Sequence, residues 1–146
     1  MTEQPKRMTE EFSSYVCPGD TIDTIINGIT YTARIVMDEG YGIDDDDCHN
    51  VDQSVTGCDD EQFAKLLKAR EAFAAGEWWY CGIIISASID EVTLVENAAS
   101  LWSIEANYPE GNNSYMSEVV EELLPEAIAV ATASAAALIE RLREML

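Results

Sequence analysis

The Asn27-Gly28 pair, set between the β-branched runs TIDTII and ITYTARIVM, constrains this chain more than any other feature. Asn-Gly suits the two central positions of a type I′ turn, where φ is positive at both. The flanking runs are therefore expected to pair as an antiparallel hairpin, with strands near 21–26 and 29–37. A lone hairpin is marginal in water, so the remaining sequence must supply further strands or a covering helix.

It supplies both. Asp59 followed by Gln62 forms a capping-box pattern, and Phe63, Leu66, Leu67, Arg70, Phe73 and Ala74 then recur at helical spacing until Gly76, which predicts a helix over about 60–75. Residues 77–88 carry WWYCGIIISAS, apolar at successive positions, as in a central strand covered on both faces with one tryptophan buried. Two more strands are expected near 91–96 and 99–104. Beyond the turn-rich stretch 107–113, Ser114 opens a helical pattern with Met116, Val119, Val120, Leu123 and Leu124. Pro125 lacks an N–H and restricts its predecessor, so a kink or a boundary is expected there, followed by a second helix over 125–145 with a seam of Ile128, Ala131, Ala135, Leu138, Leu142 and Met145.

These elements add up to an α+β fold. At 146 residues with 47% apolar side chains, the chain has the material for one core. The expectation is a flexible N-terminal arm, 1–19, and a single domain, 20–146. Its sheet is mostly antiparallel, of four or five strands in ββαβββα order, with helices packed on one face.

Charge is the unusual quantity. Twenty-eight Asp and Glu face eight Lys and Arg, a net charge of -20, where about 2 to 8 suffices to keep a small domain soluble. Such a field repels nucleic acid and anionic lipid and attracts basic surfaces or divalent cations. Neither an apolar run of bilayer length nor a signal peptide is read, so the expected location is cytoplasmic and Cys17, Cys48, Cys58 and Cys81 are expected to stay thiols.

The carboxylates are bunched in two places. Residues 40–60, GYGIDDDDCHNVDQSVTGCDD, form a long aperiodic loop with Asp44, Asp45, Asp46, Asp47, Asp52, Asp59 and Asp60. Loops of that length in compact domains tend to be functional or disordered. Glu118, Glu122 and Glu126 recur at i, i+4 with Glu121 beside them, like charges whose repulsion costs a few tenths of a kcal/mol per pair. Together these residues are the candidate partner-binding set. They are expected to imitate the phosphate charge of nucleic acid, one charge per about 1.7 Å of duplex, against a basic host protein or nucleoprotein complex, with no direct binding to nucleic acid.

Catalysis is not expected. His49 is the single histidine and lies in the acidic loop, and the Walker, dinucleotide-binding and nucleophile-elbow patterns are absent. No cofactor is expected. One alternative is a metal site drawn from Asp44 to Asp47, Asp52, Cys48 and His49, although neither calcium-loop nor zinc-ribbon spacing occurs. Another is an oligomeric structural protein, a homodimer joined through the alanine-rich C-terminal helix.

The segments EWWYCGIIISASID, VTLVENAASLWSIEANYP and NSYMSEVVEELLPEAI resemble a group of small uncharacterised proteins of bacteriophage and prophage genomes, over roughly residues 60–130. Members of that group carry an EW-x-FVG strand, an ASLWGIE strand and an acidic C-terminal helix. Leu101 to Glu105 is the most specific part, with Ser103 where the group usually has glycine. The resemblance implies a phage origin and, through it, inhibition of host machinery such as a CRISPR or restriction complex in the host cytoplasm.

Overall fold

Asn27 and Gly28 take positive φ, 51° and 81°, and join β1 (Thr21–Ile26) to β2 (Ile29–Met37), with Ile26 opposite Ile29. This computed structural model describes residues 7–146. β3 (Trp79–Ile89) and β4 (Val92–Ala106) complete a four-stranded sheet in the order β1-β2-β3-β4, antiparallel throughout. A second two-residue turn joins β3 to β4, and both Asp90 and Glu91 sit in the left-handed region there.

The segment expected to form two strands is one. The polar break at Glu96-Asn97, where a turn is expected, falls within a register shift between Ile85 and Ala87, and pairing with β3 resumes beyond it. A bulge absorbs extra residues without ending the ladder, so the long elements run ββαββα.

Among the described residues the α-helices are α1 (Gln53–Thr56), α2 (Asp60–Ala74) and α3 (Tyr115–Met145), and two short 3-10 turns, Ile43–Asp45 and Asp47–His49, lie in the acidic loop. Pro125 neither ends nor divides α3. It sits on the exposed side, where the carbonyl that loses its partner can face water. Met116, Val120, Leu124, Ala127 and Ala131, spaced by three or four residues, are buried on the sheet. Beyond Ala131 the expected seam emerges from the core, with Ala135 half-buried and Leu138, Leu142 and Met145 exposed, and Ile139 beside them is exposed too. By length and composition alone, α3 could cross a membrane.

The two faces of the sheet are covered differently. Cys81, Ile83, Ile85 and Ala87 point into the main core with α3. Tyr80, one residue out of phase, points the other way into a second cluster with Ile43, Trp78, Tyr41, Phe73 and Tyr108. α3 is thus the helix packed on the sheet, whereas α2 seals the end of the opposite face. There Trp78 Nε1 donates to the Ala69 carbonyl at 2.7 Å, and Phe73 packs edge-on to the indole at 5.0 Å.

The expected N-terminal arm is docked from residue 7 onward, and residues 1–6 lie outside the described part. Met8 and Val16 are in the main core. The Val16 N–H donates to Asn107 Oδ1 at 2.9 Å, and Asn107 Nδ2 returns a 2.8 Å bond to the Val16 carbonyl. Buried Asn113 bonds Ser14 and Asn107 in turn.

Candidate functional site

The acidic loop is built by its own aspartates. Short carboxylates accept hydrogen bonds from nearby backbone N–H groups and so favour turns and caps over regular structure. Asp45 accepts from the Gly42 N–H, Asp46 from Cys48 and Asp52 from Ser54. Asp59 caps α2 through the Gln62 N–H, the expected capping box. Asp60 accepts from Gln53 at 2.9 Å, and Asp44 pairs with Arg70 at 2.7 Å. Asp47 stays exposed.

At the centre of the loop lies His49, 5% exposed. One ring nitrogen, Nδ1, is 2.8 Å from Asp46 Oδ2, and the other, Nε2, is 2.9 Å from the Tyr108 hydroxyl. Tyr80 donates its hydroxyl to the same Asp46 oxygen at 2.7 Å. The imidazole packs against Trp78, with ring centres 5.3 Å apart, and Arg70 Nη1 donates to the His49 carbonyl at 2.7 Å. Glu105, half-buried near the end of β4, completes the group: ligand atoms of Asp46, His49 and Glu105 all lie within 4.8 Å of one another.

Burial and partners set the protonation of these groups. Burial works against the Asp46 carboxylate, but hydrogen bonds from Tyr80, His49 and the Cys48 N–H outweigh it and hold its pKa below the ordinary value. Desolvation pushes Glu105 the other way, helped by Asp46 and opposed by His49. The Tyr80 and Tyr108 hydroxyls are raised, by burial first and by Asp46 and Glu105 after it, and so remain protonated donors. Asp46 also raises the Cys48 thiol, and burial pushes Cys81 up to about 12. Neither is activated as a nucleophile.

The second acidic group lies elsewhere. Glu118, Glu122 and Glu126 are exposed along α3, while Glu121 is half-buried and accepts the Arg7 and Met8 N–H groups at 3.2 and 2.9 Å. With Glu11 and Phe12 of the docked N-terminal segment, Glu118, Glu121 and Glu122 line an open groove of about 630 Å³. The sheet separates the two groups: the loop aspartates gather on the Tyr80 side and the α3 glutamates on the helix over the Cys81 side. The candidate residues therefore form two anionic surfaces instead of one.

Sequence reasoning missed Glu11, Glu105, Tyr80 and Tyr108 as partners of these clusters. His49 and Tyr108 are separated by 59 residues, and only the assembled sheet brings them together. No protein-family model, curated protein or solved structure matches this chain.

Proposed function

We propose that this protein is a non-enzymatic acidic binding protein that occupies a basic, nucleic-acid-binding surface on another protein and so inhibits it. The observation that carries the reading is the scale of uncompensated charge. Were each of the eight basic side chains to neutralise one carboxylate, twenty of the twenty-eight would remain. Charge beyond the needs of solubility destabilises the compact state through self-repulsion, and electrostatic attraction to a cationic partner offsets that cost.

The α3 groove is the docking face of this reading. Glu118, Glu122 and Glu126 stand on a rigid helix, about 6 Å apart per step of four residues, and Glu11, Glu121 and the groove floor extend the anionic strip sideways. The loop aspartates, on the other side of the sheet, add long-range field. Given the resemblance to phage proteins, the target class is a host defence or nucleic-acid-binding complex, CRISPR and restriction systems included, met in the host cytoplasm.

The test is a triple variant, Glu118→Gln, Glu122→Gln and Glu126→Gln, which changes charge at exposed positions and leaves the α3 core contacts in place. Partners identified by capture from bacterial lysate with the unmodified chain should include nucleic-acid-binding proteins and should be lost with the variant. Capture that the variant retains in full would count against the α3 face.

A further inference from the structure

We propose that Asp46, His49 and Glu105 form the binding site for a single divalent transition-metal ion, zinc being the best fit, with Tyr108 and Tyr80 as the hydrogen-bonding shell that orients the ligands. This site is independent of the acidic docking face on α3. It also differs from the ligand set that the run of aspartates suggests, because the residues that converge come from two segments of chain, the acidic loop and the end of β4, and do not include Cys48.

Three features point to a cation. Two carboxylates close on one imidazole, and the Arg70 guanidinium beside them is spent on the His49 carbonyl and on Asp44. The half-buried Glu105 carboxylate lies within 4.8 Å of the ligand atoms of both His49 and Asp46, and the hydrogen bonds that join His49, Asp46, Tyr80 and Tyr108 do not reach it. A partly desolvated carboxylate facing a second one across a single imidazole is an arrangement that a shared cation stabilises. Finally, the supporting bonds are those of a metal centre. A metal-bound histidine commonly donates its other N–H to an oxygen, and ligating carboxylates are themselves hydrogen-bonded. Here Nε2 faces the Tyr108 hydroxyl and Asp46 accepts from Tyr80.

The donor set selects the ion. Calcium seeks six to eight oxygens, more than two carboxylates supply, whereas one imidazole and two carboxylates match the N/O ligands of zinc at about 2.0–2.2 Å. Ligand atoms bonded to one tetrahedral zinc lie about 3.3 Å apart, so the ion enters by spreading the present 2.8 Å contact between Asp46 and His49 Nδ1 by about half an ångström. The Nδ1 proton, if present, leaves to solvent on binding, and Nε2–H then donates to Tyr108. Three protein ligands leave a fourth position for water.

The experiment is calorimetric titration of the chelator-treated full-length chain with Zn²⁺ under reducing conditions, repeated with Glu105→Gln, with Asp47→Asn and with the three non-core cysteines Cys17, Cys48 and Cys58 replaced by serine. The expected result is one ion per chain, affinity weakened at least about tenfold by Glu105→Gln, and no change with Asp47→Asn or the serine replacements. Should Glu105→Gln itself lower the Tm, the His49 imidazole resonances of the unmodified chain decide, and they are expected to shift and saturate at one equivalent. The proposal is overturned by no binding, by binding that Glu105→Gln leaves intact, by binding that disappears with the cysteines, or by His49 resonances that do not move.

Discussion

Gly82, in the middle of β3, lies directly beneath the indole of Trp102, so that a Cβ built on it would stand 2.7 Å from Cδ2 of that ring. The contact occurs at the bulge where Trp102 and Ser103 together oppose Gly82. Asp38 at the end of β2 reaches across to the same place and accepts the Ser103 N–H at 3.0 Å. A glycine inside a strand often marks such a close approach. Replacing Gly82 with alanine is expected to cost about 1–3 kcal/mol by overpacking. In a Trp102→Ala background the same replacement should cost far less, a coupling that a double-mutant cycle in urea reads out.

The backbone itself offers two sites for gain. Glu91 has φ 69° in the β3–β4 turn, and Ser103 has φ 61° at the bulge. Side-chain-bearing residues pay about 1–2 kcal/mol in this region, which glycine avoids, at the expense of a floppier unfolded chain. Glu91→Gly and Ser103→Gly are each expected to be neutral to stabilising by up to about 1 kcal/mol. Thermal melts check this, and a fall in Tm of more than a few degrees would contradict it.

The pair Asn107 and Asn113 should behave in the opposite way. Asn107 holds both backbone groups of Val16, and Asn113 holds the Ser14 carbonyl. Asn107→Ala strips partners from buried polar groups and is expected to cost about 2–3 kcal/mol. Proteolysis should then cleave first within residues 7–19, whereas global cleavage without that preference would mean the segment is not held by this pair.

Acid stability should run through Asp46. Its pKa is depressed in the fold, so its contribution is present above the ordinary value of 3.8 and disappears as pH falls through the lower folded value. Glu105, raised above 4.5, acts in the reverse sense and loses its contribution as pH climbs through its folded value. Tyr80→Phe removes one bond that favours the Asp46 carboxylate, so the acid unfolding midpoint is expected to move to higher pH. A midpoint unchanged in circular dichroism would contradict the role given to that bond.

Much of the fold was legible because its signals are local. Asn27-Gly28 specified the hairpin to the residue, Asp59 with Gln62 marked the start of α2, and the 3.6-residue spacing from Met116 to Leu124 identified the buried stripe of α3. What local signals could not show was which face each element serves. Tyr80 and Cys81 are neighbours in an unbroken apolar run, and only their opposite directions divide the molecule into a main core and the aromatic pocket around His49. Pro125 read as a break, but its exposed side of α3 tolerates the lost bond. The aspartates read as one charged loop, whereas Asp46 is half-buried against His49 and Tyr80 and Asp45, Asp52 and Asp59 hold turns and a helix cap.

The proposed inhibition rests on competition between the anionic α3 face and nucleic acid for a basic partner. It is tested most directly by measuring the affinity for a captured partner between about 50 and 200 mM salt, with and without competing duplex DNA. The expected result is a steep, log-linear loss of affinity with salt and displacement by DNA. Affinity that is flat with salt, or binding that DNA leaves undisturbed, would contradict it.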